Sequence, residues 1–188
     1  MANHWDQSAW DWFEMARRGP NKFLQDLDKR HFVERVPIVS VSCADWKRNY
    51  DMIRYISHLR GYVVGEDHQT HRLGWHGGIT RIVKDSPMNP IPRSDEVFLT
   101  ELLEAHEITQ LFDYVVYAHW PCGKALKHGL RIQDVVAHLM EAKVRLKSIC
   151  PSLKVKTLFH VDVPRDISDT GMKSYFADQK DYESFTGA

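Results

Sequence analysis

The sequence predicts an α/β protein: a mostly parallel β-sheet core flanked by helices, with an N-terminal helical extension. Three observations carry that expectation. The β-branched runs VPIVSVSC (36–43), FDYVVYAHW (112–120) and KVKTLFHVDV (154–163) read as buried strands. Segments with apolar residues at helical spacing separate them, and strands alternating with helices imply parallel pairing through right-handed crossovers. The length, 188 residues, suits one compact unit that buries a core without disulfides or other staples.

Taken in order, the elements begin with a helix in which Trp5, Trp12, Phe13 and Ala16 fall at near-helical spacing. Gly19 and Pro20 punctuate before a second expected helix carrying Phe23, Leu24 and Leu27. So much tryptophan on a short appendage predicts that the first helix lies across a partner subunit, in a homodimer or higher homo-oligomer. After the first strand comes a helix from about 45 to 60, with Ile53, Ile56 and Leu59 on its apolar face. HRLGWHGGITRIV (71–83) reads as a short strand broken by glycines, and KDSPMNPIPRSD (84–95) as a loop ending in a helix N-cap at Ser94 or Asp95. A helix over about 95–110 leads into the second strand. An amphipathic helix over 132–148, with Val135, Val136, Leu139, Met140 and Leu146 on its apolar face, leads into the third. The expected organisation is an N-terminal helical arm (1–34), an α/β core (35–165) and a C-terminal tail (166–188).

Composition narrows the partners. Lys plus Arg (25) balances Asp plus Glu (25), which leaves no electrostatic footprint for nucleic acid or an anionic membrane surface and keeps small-molecule substrates open. No apolar run approaches the ~20 residues that span a bilayer. The opening MANHWDQSAW lacks the basic-then-apolar order of a signal peptide, so a cytoplasmic location is expected. Cys43, Cys122 and Cys150 are an odd set of thiols, which reads as reduced cysteines rather than a disulfide framework.

The chemistry concentrates at two strand ends. In open parallel sheets, ligands bind beyond the carboxyl ends of the strands. Cys43 ends one strand, and His119 with Cys122 follows the end of another. If those strands are neighbours, two thiolates and one imidazole converge, a set known from catalytic zinc sites that keep a fourth position open. Gly123 would allow a tight turn or close backbone approach there. Taken singly, each thiol reads more readily as a small core hydrophobe than as a ligand. A redox reading of WPCGK is weaker, because no second cysteine lies two residues away. Trp75 and His76 read as pocket lining or as a surface turn, and Lys124 and Lys127 as attractors of a small anion or as a solvated turn. His106 and His138 read as packed or solvated helix residues, and Cys150 as structural.

SCADWK (42–47) and HWPCG (119–123) resemble the Cys-x-Asp-x-Arg and His-x-x-Cys-Gly motifs of the β-class carbonic anhydrases. The resemblance spans about residues 36–163. It implies a β-carbonic-anhydrase-like fold and a Zn2+ ion held by Cys43, His119 and Cys122. The implied activity is the reversible hydration of carbon dioxide to bicarbonate by zinc-activated water, with Asp45 as its carboxylate partner. The family's arginine beside that carboxylate is replaced by Lys47, which is then its expected catalytic partner, while Arg48 is expected to point elsewhere. The interval from Cys43 to His119 is longer than in the family, so a loop within 61–93 is expected to be rebuilt. Two alternatives remain: a related zinc hydrolase acting on carbon disulfide or carbonyl sulfide, and a non-catalytic zinc-stabilised subunit in which Asp45 closes the metal.

Overall fold

The computed structural model describes residues 4–33, 35–62, 69–163 and 172–187, without the side chains of Trp46, Lys47 and Met172. Its helices are α1 (Gln7–Arg18), α2 (Trp46–Leu59), α3 (Ser94–Thr109), α4 (Gly123–Lys127), α5 (Ile132–Ile149) and α6 (Gln179–Thr186). Its strands are β1 (Leu24–Asp26), β2 (Ile38–Cys43), β3 (Thr70–Trp75), β4 (Asp113–Trp120), β5 (Lys154–Asp162) and β6 (Met172–Ala177). The expected strands at 36–43, 112–120 and 154–163 are β2, β4 and β5, and the helices between them are α2, α3 and α5.

These strands form one six-stranded sheet in the order β1-β6-β5-β4-β2-β3. Strands β2 to β5 pair in parallel, and β6 and β1 extend one edge in antiparallel fashion. The chain leaves β2 for the edge strand β3, then returns through α3 to add β4 on the other side of β2. That reversal of direction opens a crevice at the carboxyl ends of β2 and β4. Every residue of β2 is buried, because both faces of the sheet are covered there. One face carries the larger core, including Val39, Val41, Val116, Leu102, Leu139 and Phe159 under α1, α3 and α5. The other carries Ile38, Val115, Tyr117 and Leu158 against Met52 and Ile56 of α2.

Three expectations about the ends of the chain need correction. The first helix forms, capped by the Asp6 carboxylate on the Ala9 amide and ended at Gly19. It lies on this chain's own core, with Trp5, Phe13 and Ala16 almost fully buried. Phe13 meets Trp5 and Tyr175 edge-on at centroid separations of 5.3 and 5.6 Å. An apolar stripe on a short helix needs a cover, and here β6 and α5 belong to the same chain. The second expected helix is instead β1, whose Leu24 and Gln25 pair with Ala177 and Phe176. The C-terminal tail expected over 166–188 is, where it is described, part of the core: β6 lies between β1 and β5, and α6 packs Tyr182 and Phe185 on Phe23. The rebuilt loop expected within 61–93 falls partly outside the described residues, at 63–68. Helix α3 begins at Ser94, but the N-cap position belongs to Arg93 at φ 62°, without a side-chain cap.

Candidate metal centre

Strand β2 pairs directly with β4, Val39 with Tyr114 and Val41 with Val116, so the condition for convergence holds. Cys43 is the last residue of β2, His119 the penultimate residue of β4, and Cys122 the residue before α4. Cys43 continues the row of Val39 and Val41 on one face, whereas His119 continues the row of Val115 and Tyr117 on the other. The three side chains therefore meet over the edge of the sheet. Their ligand atoms lie within 4.8 Å of one another, and all three residues are buried. They form no disulfide.

The donor set fits a thiophilic metal ion. Both ring nitrogens of His119 are buried without a hydrogen-bond partner, a costly arrangement for a polar ring unless something else binds it. The thiols are coupled. Cys122 is pulled down to about 6 by a hydrogen bond from Cys43, helped by the main-chain amides of Ala125 and Lys124 at the start of α4. The same contact and burial push Cys43 up to about 12. One proton is thus shared between two sulfurs, and a divalent cation that displaces it gains two thiolates. The Gly77 amide also donates to Cys43 Sγ at 3.4 Å.

Glycine is required at a different place from the one the sequence suggested. A Cβ on Gly123 would meet nothing within 4 Å. At Gly78, with φ +57°, a Cβ would lie 2.7 Å from the Cys43 nitrogen and 2.9 Å from the Ser42 carbonyl carbon. The turn after β3 thus closes against the backbone that carries the first thiol.

Asp45 caps α2: its carbonyl takes the first helical hydrogen bond, from the Asn49 amide at 2.8 Å. Its carboxylate faces Arg48, contrary to the expectation that Arg48 points elsewhere. Arg48 Nη1 reaches Asp45 Oδ2 at 2.6 Å, and Arg48 Nη2 reaches Asp162 Oδ2 at 2.8 Å. The physical reason is helix geometry: three positions after a cap, a side chain lies over the cap residue. Burial works against the charged form of Asp45, but the charge and hydrogen bonds of Arg48 outweigh it and hold the carboxyl below its ordinary range. The Lys47 side chain lies outside the described residues.

A cleft of 590 Å³ opens beside the cluster, bordered by Cys43, Asp45, Arg48, His76, Lys124 and Lys127. A larger one, 700 Å³, lies elsewhere among Arg17, Arg30 and Lys173. Among the described residues it gathers no group of metal-ligating atoms, and Lys173 there is paired with Asp26 at 2.7 Å. Of the remaining candidates, Trp75 packs on Phe98 with ring centroids 5.1 Å apart rather than lining the cleft. His106 bonds the Leu111 carbonyl at 2.8 Å, burial lowers the pKa of His138, and Cys150 Sγ contacts Ser152 Oγ at 3.3 Å. Two residues near the cluster escaped the sequence reading, Asp162 and His160. The second stands in register with His119 on β5, which only the strand pairing reveals.

The fold and the cluster define an α/β protein with a buried cysteine-histidine-cysteine group that can hold a metal ion. No protein-family model and no curated protein matches the chain. Among solved structures, the chain is similar to carbonic anhydrase from Streptococcus mutans, at 16% identity over 93% of this chain and 100% of that one, with a TM-score of 0.45. Among the described residues no helix is long and apolar enough to cross a membrane.

Proposed function

We propose that this chain is a zinc-dependent carbonic anhydrase of the β-class type that interconverts carbon dioxide and bicarbonate. The observation that carries the reading is the convergence of Cys43, His119 and Cys122 beside a charged Asp45–Arg48 pair at the mouth of an open cleft. Thiolate and imidazole donors select zinc over harder cations. Bound there, zinc supplies a Lewis acid that makes water nucleophilic near neutral pH.

The chain's own residues do the rest. Asp45, held charged by Arg48, accepts a hydrogen bond from the reacting water and orients it towards carbon dioxide. Because the same carboxylate lies two residues from Cys43, Arg48 must also keep it from becoming a metal ligand itself. Lys124 and Lys127 place positive charge along the exit route of bicarbonate, and the proton leaves through the open side of the cleft. The test combines metal analysis of the purified protein with stopped-flow carbon dioxide hydration. About one zinc per chain and hydration lost in Cys43→Ala, His119→Ala or Cys122→Ala are expected. A fully zinc-loaded protein without hydration activity overturns the reading and favours a closed, non-catalytic zinc site.

A further inference from the structure

We infer that Asp162 is a positioning residue of the metal cleft: it fixes the Arg48 guanidinium so that Asp45 stays turned away from the Cys43, His119 and Cys122 cluster. The inference rests on the reading above that a metal ion occupies that cluster.

The Arg48 fork spans two elements. One Nη binds the Asp45 carboxylate at the start of α2, and the other binds the Asp162 carboxylate at the end of β5. Arg48 Nε is buried without a hydrogen-bond partner, so the guanidinium is held at its two tips and not at its inner edge. Asp162 is in turn fixed from behind, because the Trp5 indole donates to its main-chain carbonyl at 2.8 Å. A continuous run of contacts thus joins Trp5, Asp162, Arg48 and Asp45. Asp45 and Arg48 both project from the first turn of α2, where a long side chain has many rotamers. Asp162 lies across the crevice on a buried strand, and a planar fork gripped by carboxylates on two rigid elements has one orientation. Without the second grip, Arg48 is free to swing towards solvent. The Asp45 carboxylate then exchanges a mobile cation for a fixed divalent one.

The probe is azide, a small anion that needs an open coordination position, titrated into the cobalt(II)-loaded protein and followed by visible absorption. In the wild type azide binds. In Asp162→Ala its affinity falls about tenfold at unchanged cobalt content and unfolding midpoint. Adding Asp45→Ala to Asp162→Ala restores azide binding, because the occluding carboxylate is gone, and Asp162→Glu recovers part of the affinity. A merely structural Asp162 would give neither recovery. Azide binding unchanged in Asp162→Ala overturns the inference. So does a cobalt-loaded wild type that takes no azide, because Asp45 would already close the metal. Carbon dioxide hydration by the wild-type zinc protein, measured separately, decides the proposed activity. Hydration with no azide shift in Asp162→Ala keeps that activity and removes the role of Asp162; the shift without hydration does the reverse.

Discussion

His119 and His160 stand side by side in register on β4 and β5, one ring ending in the cysteine-histidine-cysteine cluster and the other fully enclosed. His160 Nδ1 shares a hydrogen bond with Ser174 Oγ at 2.9 Å, and its Nε2 lies 4.0 Å from Asp51 Oδ2. Burial, then the charges of His119 and Arg48, lower its pKa from 6.5 to about 3, while Asp45 opposes them weakly. The fold therefore holds His160 neutral. Below about pH 6.5 the unfolded chain takes up this proton and the folded chain does not until about pH 3, so stability is lost as pH falls through that window. The expected contribution is a slope of about 1.4 kcal/mol per pH unit in the unfolding free energy of the metal-free protein. Urea titrations of wild type and His160→Gln between pH 4 and 7 measure it. Equal slopes in the two proteins would show that His160 is protonated inside the fold.

Arg48 offers a second test, because a lysine cannot copy a fork. In Arg48→Lys one ammonium must serve carboxylates that two nitrogens now bind, at 2.6 and 2.8 Å. Zinc content should stay at one per chain while kcat/KM for hydration falls about 10- to 100-fold. Lys47→Ala should stay near wild type in the same assay. The opposite ranking would make Lys47, whose side chain lies outside the described residues, the partner of Asp45.

At Gly78 the prediction concerns metal affinity rather than catalysis. Alanine there is strained at φ +57° and drives its Cβ into the Ser42–Cys43 peptide. The left-handed conformation alone costs about 1 kcal/mol, and the displaced Cys43 adds to it. Competition with a zinc chelator should show weaker binding in Gly78→Ala, and Gly123→Ala serves as the unaffected control. Equal affinities would mean that the turn yields without moving the thiol.

Phe13→Ala should lower stability by about 3–5 kcal/mol, the range for emptying an aromatic site in a core, and a chain lacking residues 1–18 should unfold rather than merely change its oligomeric state. Denaturant unfolding with sedimentation analysis distinguishes the two. A truncated chain that keeps wild-type stability would place α1 on a neighbouring subunit instead.

What was legible in the sequence had a local cause. The runs at β2, β4 and β5 are buried on both faces, so their apolar character is continuous, and α5 shows its stripe because only one side of it meets the sheet. The residues of the candidate metal cluster were legible for the same reason, since Cys43 and His119 lie at the ends of those strands and Cys122 just beyond one of them. β1 was not. Phe23, Leu24 and Leu27 have helical spacing, and what makes Leu24–Asp26 a strand is the edge of β6, some 150 positions away. Arg48 was misplaced because its direction was judged from helical phase alone. Asp45 is the cap, and a cap carboxylate faces the third helical position. Asp162 gave no local signal, since its role exists only where the ends of β5 and α2 come together.

The cluster joins position 43 to positions 119 and 122, and the stretch between them includes α2, β3 and α3. A nascent chain that has emerged only as far as α3 presents a single thiol and none of the geometry that makes zinc bind tightly. On the proposed zinc reading, metal capture would therefore be a late event of biosynthesis. It requires β4 to have docked on β2, so zinc, if it occupies the cluster as proposed, would certify that the non-local half of the sheet has been assembled, and a chelator present during refolding should trap chains whose sheet is complete but unlocked.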